Sequence, residues 1–219
     1  MIPLEEFFIN LFNTIGQAFC HQMPDRTLLI GGRYLPVCAR DTGAYLGLYV
    51  GYLLLPLRRK KGCGPPNLWM TTLMVTPMII DGVTQALGFR TSTNDLRLVT
   101  GCLFGAALSP FLVYLISIVP LSRKLPVINN FLPPSVRLDE RESWLSPQAL
   151  SLGLCTAIAL ALTINSTVGS EDPTIYWLLS SLTTSSIVLH IIVLPVFLAF
   201  SLLSYLKAIR STRKAKCFP

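Results

Sequence analysis

Charged residues are scarce in this chain, since Asp, Glu, Lys and Arg make up only 13% of its 219 residues. Soluble domains average about 25%. Hydrophobic residues reach 52%, and the mean hydropathy is +0.57. This composition excludes a disordered chain and an ordinary cytosolic enzyme. The sequence also lacks G-x-S-x-G, H-E-x-x-H and phosphate-loop motifs. We therefore expect an integral membrane protein that carries no standard hydrolase or nucleotide motif and has no nucleic-acid partner.

Apolar runs near the roughly 20 residues needed to cross a bilayer occur five times. They cover residues 42–57, 67–87, 98–121, 145–168 and 175–206. Residues 2–19 differ, because their apolar side chains recur at helical spacing opposite a polar face, with no basic region or cleavage site typical of a signal peptide. The fold class predicted is all-α: a polytopic membrane helix bundle of about five transmembrane helices plus an N-terminal amphipathic helix, which lies in the interface or against the bundle.

Lysine and arginine are distributed unevenly between the two sides of this bundle. If the loop after the first span is cytoplasmic, thirteen of the eighteen basic residues lie inside. The outer face keeps Arg26, Arg33, Arg40, Arg90 and Arg97. The asymmetry predicts a multi-pass cell-membrane protein with its N-terminal region outside and its C-terminus cytoplasmic. Residues 1–41 would form the amphipathic helix and an outer polar cap, 42–206 the bundle, and 207–219 a basic cytoplasmic tail.

Polar residues of the outer face concentrate in residues 20–45 and 81–97. Asp81 is predicted to lie about 9 Å below the outer end of its span, at about 1.5 Å per residue. Gln85 follows one turn nearer the surface on the same face. An ionisable residue at that depth needs a partner, which we expect to be Arg40, Arg90 or Arg97. Such a pair either fixes helix register or belongs to a binding or catalytic site.

Arginine side chains bind phosphate and carboxylate oxygens in a bidentate manner, which suggests what the outer face does. The first hypothesis is a site that binds, moves or modifies an anionic lipid headgroup, either a polyprenyl or a phospholipid phosphate. Its binding residues would be Arg26, Arg40, Gln85, Arg90, Asn94 and Arg97. His21 and Asp81 are the acid–base candidates if chemistry occurs, and the sequence does not decide whether it does.

A second hypothesis makes the chain a non-catalytic structural or accessory subunit of a membrane complex. In that case internal Arg–Asp pairs form a folded outer cap. The partners are then other membrane subunits in addition to membrane lipids.

Small residues spaced by four occur on the first and third predicted spans. Such stripes allow helix backbones to approach closely in lipid. The two stripes, which we expect to face each other or a shared neighbour, are Gly43, Gly47 and Gly51, and Gly101, Gly105 and Ser109.

Three strings carry a resemblance to a known family: C-H-Q-x-x-x-R-T, P-V-C-A-R-x-T-G-x-Y and D-G-x-T-Q-x-x-x-x-R-x-S-T-N-x-x-R. Over roughly residues 20–105 they resemble the prokaryotic membrane proteins called domain of unknown function 2085. A fainter similarity to VanZ-like membrane proteins lies in the order Asp81, Gln85, Arg90, Asn94 or Asp95, and Gly101.

Members of the first family commonly read C-x-x-C where this chain reads Cys38-Ala39-Arg40-Asp41. The resemblance therefore implies one possible zinc site, in which Cys20, His21, Cys38 and Asp41 supply two sulfurs, one nitrogen and one oxygen as ligands. A Cys20–Cys38 disulfide on the oxidising outer face is a second account, and two free thiols are a third. The sequence leaves the three open, so no cofactor is assigned.

Overall fold

The computed structural model describes residues 4–54, 68–118, 147–196, 198–199 and 202–203. Its elements are α1 (Leu4–Gln17), β1 (Thr27–Ile30), β2 (Arg33–Cys38), α2 (Ala39–Leu54), α3 (Leu68–Ala86), α4 (Asn94–Ile118), α5 (Pro147–Ser166) and α6 (Pro173–Ile187), the last continuing as a π-helix over Val188–Val193. The thirteen basic residues assigned to the inner face lie outside these ranges, so the predicted orientation has no structural counterpart here.

All five predicted spans form helices over most of their described residues, but only two stretches among the described residues are long and apolar enough to cross a membrane. These two stretches are Asn94–Val113 and Pro173–Val196. The described part of α2 has 16 residues, and α3 includes Asp81 and Pro77, which lower its hydropathy. Five transmembrane helices are therefore not supported by the described residues, which show a mostly helical protein with two candidate spans.

A β-hairpin corrects the all-α prediction. Strands β1 and β2 pair in antiparallel fashion, with Ile30 opposite Arg33. The two residues between them, Gly31 and Gly32, have φ values of 61° and 71°, as a two-residue type I′ turn requires. A Gly-Gly pair between two short, mainly apolar runs is a hairpin signal that the all-α prediction left out.

The hairpin is attached to the loop between α5 and α6. The Gly31 N–H donates to the Ser170 carbonyl at 2.8 Å, and the Gly169 N–H donates to the Leu29 carbonyl at 2.9 Å. Its inward side chains, including Ile30, join the main hydrophobic core. The hairpin therefore holds the start of α2, which follows Cys38 directly, in a fixed position.

Helices α2 and α4 pack with their backbones in close contact. A Cβ atom at Gly43 would overlap the carbonyl oxygen of Leu98, and one at Gly101 would overlap the carbonyl oxygen of Arg40. The prediction that the two small-residue stripes face each other is confirmed. This contact brings the first turn of α2 beside the first turns of α4 and so assembles the polar site.

Helix α1 confirms the amphipathic helix predicted near the N-terminus. One face packs on β2 and α6, where the rings of Phe12 and Trp177 lie 6.0 Å apart. Glu5 accepts a hydrogen bond from Arg33 at 2.8 Å. The other face leaves Leu4 and Phe7 exposed. The helix thus lies against the bundle and still presents an apolar surface.

Candidate functional site

Asp81 on α3 is the centre of a polar cluster, and only 1% of its surface is exposed. Its Oδ2 accepts a hydrogen bond from Arg40 Nη2, and its Oδ1 accepts one from Arg90 Nη2. Ser92 Oγ donates to the same Oδ1 at 2.6 Å. The prediction of an arginine partner for Asp81 is confirmed, and the carboxylate has two such partners. Both oxygens are already engaged, so this geometry favours an anchoring role over proton transfer.

The two partner arginines are themselves held by residues of α3. Arg40 Nη2 donates to Gln85 Oε1 at 3.1 Å, and Arg90 Nε donates to Thr84 Oγ1 at 3.0 Å. Gln85 lies one turn beyond Asp81, so one helix face offers both acceptors to Arg40. The structure therefore brings together four of the residues predicted for the site: Arg40, Asp81, Gln85 and Arg90.

Arg97 differs from these arginines, because its guanidinium is buried without a carboxylate partner among the described residues. Only 5% of its surface is exposed. Nη1 donates to Asn94 Oδ1 at 2.7 Å and makes a long 3.5 Å contact with the Asp25 carbonyl, while the buried Nε has no hydrogen-bond partner in the described part of the chain. A charge removed from water in this way is costly unless a counter-ion is supplied.

The surroundings of Arg97 add to that cost. Arg26 and Arg40 are near enough to repel it, and Asp25 and Asp81 are near enough to attract it. Asp81, however, already serves Arg40 and Arg90. Arg97 also lies in the first turn of α4, where the helix dipole is positive and disfavours a cation. The local field therefore favours an added anion.

The other two arginines predicted for the outer face, Arg26 and Arg33, lie near the protein surface. Arg26 Nε is 3.5 Å from Asp25 Oδ2, with the Arg26 side chain 43% exposed and the Asp25 side chain 71% exposed. Arg33 pairs with Glu5 and lies over the Tyr176 ring, 5.9 Å from its centroid. Arg33 thus joins the hairpin to α1 and α6 and takes no part in the hydrogen bonds around Asp81.

A second cluster forms where β2 meets α2. The sulfurs of Cys20 and Cys38 and a carboxylate oxygen of Asp41 all lie within 4.8 Å of one another. The Cys38 N–H donates to Cys20 Sγ at 3.2 Å, and Cys38 Sγ is 3.2 Å from Asp41 Oδ2. Both cysteines are free thiols in this structure. His21 is exposed and lies outside the group, so three of the four predicted metal ligands come together.

The two thiols influence each other strongly. A hydrogen bond from the Cys38 side chain lowers the pKa of the Cys20 thiol to about 7. The same interaction, together with burial and the nearby Asp41 carboxylate, raises the pKa of Cys38 well above its usual range. Cys20 is therefore the thiol that ionises first near neutral pH.

Comparison with known proteins covers the segment that carries both clusters. Residues 20–111 match the family described as Predicted membrane protein (DUF2085). An uncharacterized protein of Methanothermobacter thermautotrophicus is 40% identical over 93 residues, which are 41% of this chain and 80% of that protein. The chain belongs to the domain of unknown function 2085 family.

A second relative of this DUF2085 protein is an uncharacterized protein of Methanocaldococcus jannaschii. It is 42% identical over 92 residues, which are 42% of the chain and 59% of that relative. No solved structure matches. The resemblance predicted from the three strings is confirmed, whereas the VanZ-like similarity is not shown by these matches.

The family segment of the DUF2085 protein contains the hairpin, α2, α3 and most of α4. The Asp81 cluster, Arg97 and the Cys20 cluster all lie within it. Helices α1, α5 and α6 lie outside it and supply the packing surfaces for the hairpin and α2.

Proposed function

We propose that this membrane protein binds a phosphate-bearing lipid headgroup on its outer face, with Arg97 as the principal cationic contact. The observation that carries the proposal is the buried Arg97 guanidinium, which has no carboxylate partner among the described residues. Its fork of donors suits phosphate oxygens. Binding would provide the counter-ion that the described residues do not supply.

The balance of charge supports an anionic ligand. The residues whose charges meet around Asp81 and Arg97 are four arginines and two aspartates, which leaves an excess of positive charge. Arg40 and Arg90 pair with Asp81 and fix its position beside the proposed site. Asn94, bonded to Arg97, orients the guanidinium. Arg26 is partly exposed, and we expect it to contact the headgroup at the edge of the site.

The position of Arg97 favours a lipid as the source of the phosphate. It lies in the first turn of Asn94–Val113, a stretch apolar and long enough to cross a bilayer. The end of such a stretch lies at the level of the headgroups. Leu87 and Phe89, on the loop that leads to α4, are 64% and 78% exposed, as residues in contact with acyl chains would be.

The proposal includes the full topology inferred from the sequence: five crossings, the hairpin outside and the C-terminus inside. A membrane-impermeant maleimide applied to intact cells should label an engineered Tyr34→Cys, because Tyr34 is 48% exposed on the hairpin. Native Cys63 should be labelled only after permeabilisation. Peptide-level mass spectrometry reads each position separately, and labelling of both from one side contradicts this topology.

Thermal unfolding in zwitterionic detergent tests the headgroup site. Phosphatidic acid should raise the unfolding midpoint of the parent protein, whereas phosphatidylcholine and inorganic phosphate should raise it less. A ligand at about 100 times its Kd stabilises by about 2.7 kcal/mol. In Arg97→Met the gain from phosphatidic acid should vanish, while the lipid-free protein should be as stable as the parent or more so, because an unpaired buried charge has been removed.

Arg33→Gln is the matched control, since Arg33 is an outer arginine with its own partners, Glu5 and Tyr176. It should keep the lipid-dependent gain. Equal gains in the parent and Arg97→Met would refute the site. Equal gains from inorganic phosphate and phosphatidic acid would show that the anion is a soluble phosphate.

The alternative function, a non-catalytic accessory subunit, is favoured by one specific observation. The charge of Asp81 is neutralised by Arg40 and Arg90, so these ion pairs stabilise the fold as they would in a structural cap. On this account the counter-ion for Arg97 is a carboxylate of a partner subunit. Failure of every lipid and phosphate to stabilise the parent would favour this alternative.

A further inference from the structure

We propose that Cys20, Cys38 and Asp41 bind a single zinc ion at the junction of β2 and α2. The three ligand atoms already lie within 4.8 Å of one another. In a tetrahedral site with Zn–S bonds of about 2.3 Å and a Zn–O bond of about 2.0–2.2 Å, neighbouring ligand atoms are roughly 3.5–3.8 Å apart. Small side-chain rotations would therefore bring the group to a metal-binding geometry.

The backbone holds these ligands in place from three directions. Cys38 ends β2 and Asp41 lies in the first turn of α2, and Cys38 Sγ lies 3.2 Å from Asp41 Oδ2. Cys20 follows α1, and its N–H donates to the Gly16 carbonyl at 2.8 Å. Each ligand thus belongs to a segment whose course is fixed by other contacts.

The surroundings of the group suit a metal thiolate. The Cys38 N–H points at the Cys20 sulfur, and such a bond stabilises a negatively charged sulfur. Ile15, Val37 and Ile187 pack with the cysteines and restrict access of water. Two thiolates and one carboxylate favour zinc over magnesium or calcium, which prefer oxygen ligands alone. With three protein ligands, a tetrahedral zinc keeps one position for water.

The position of Asp41 distinguishes a metal site from a disulfide. A disulfide between Cys20 and Cys38 would be a neutral, apolar link and would leave the half-buried Asp41 carboxylate without its thiol donor. A divalent cation would use that carboxylate as a ligand. The inference concerns residues separate from Arg97, so it does not rest on the headgroup site.

Metal analysis of the full-length protein tests the proposal. Protein purified in detergent without chelator or reductant should contain about one zinc per chain by inductively coupled plasma mass spectrometry. Cys20→Ser and Cys38→Ser should weaken zinc binding by more than about 100-fold, since outer-shell changes alone cost about 10–100-fold. Cys102→Ser is the matched control, because Cys102 is buried in α4 away from the group, and it should retain the metal.

A gain-of-affinity variant keeps the test decisive if the serine variants do not fold. Asp41→Cys places a third sulfur ligand in the site and should tighten zinc binding, measured by competition with a chromophoric chelator. Zinc affinity that is unchanged or weaker in Asp41→Cys would overturn the proposal. So would equal zinc content in the parent and Cys38→Ser, or a Cys20–Cys38 cross-linked peptide in the parent under non-reducing conditions.

Discussion

Replacement of Asp81 by Asn should destabilise the protein by about 2–3 kcal/mol. The carboxylate is 1% exposed and receives donors from Arg40, Arg90 and Ser92. Asparagine keeps the size but loses the charge, and its amide nitrogen would face one of the two guanidinium groups as donor against donor. One arginine then loses its hydrogen bond, and both lose their counter-ion.

The magnitude follows from how deeply each partner is buried. Removal of one member of a buried pair costs about 3–5 kcal/mol, and a surface pair contributes about 0–1 kcal/mol. The Arg40 and Arg90 side chains are 21% and 40% exposed, so they regain part of their hydration when Asp81 is changed. The expected loss therefore lies between the two limits and nearer the buried one.

Denaturant titration in detergent micelles measures this loss in the free energy of unfolding. Asp25→Asn is the control, because Asp25 is 71% exposed and its partner Arg26 is 43% exposed. The control should change stability by less than about 1 kcal/mol. If Asp81→Asn and Asp25→Asn have equal effects, the Asp81 cluster is not the structural anchor described above.

Two further predictions concern packing and thiol ionisation. Gly105→Ala should destabilise by about 1–3 kcal/mol, because its Cβ would overlap the α2 backbone. In Gly82→Ala the new Cβ would lie 3.7 Å from Arg40 Nη1, an ordinary van der Waals contact, so this change should be neutral or slightly stabilising, as denaturant titration will show. In metal-free protein, alkylation of Cys20 should rise through about pH 7, because its thiolate forms above its lowered pKa. Cys38→Ser should move that midpoint upward, and a profile centred near pH 9 in the parent would refute the coupling.

Hairpin formation shows where prediction from local pattern failed. The sequence contains the Gly31–Gly32 turn signal, but the flanking strands are short, and buried and exposed side chains alternate only weakly along them. Their stability depends on hydrogen bonds to Gly169 and Ser170, which are more than a hundred residues away in the chain. Such non-local bonds have no signature within a short window of sequence.

For the site residues too, part of the arrangement was predictable from the sequence and part was not. The need of Asp81 for a partner was predictable, because burial of a charge is costly wherever the chain folds. Which arginines serve it depends on distances between α2, α3 and the loop before α4. In the structure Asp81 forms ion pairs with Arg40 and Arg90, and Arg97 has no carboxylate partner among the described residues. The sequence could not separate these three arginines.

The sequence by itself determined the helical segments, the facing glycine stripes and the family, because hydropathy, residue spacing and short motifs are local properties. Tertiary structure alone decided that Cys20, Cys38 and Asp41 converge while His21 stays outside, and that Arg97 is buried with no carboxylate partner in the described part of the chain. The physical reason is that both clusters arise where separate elements meet. The α2–α4 contact and the hairpin set distances of a few ångströms between residues that the chain keeps far apart.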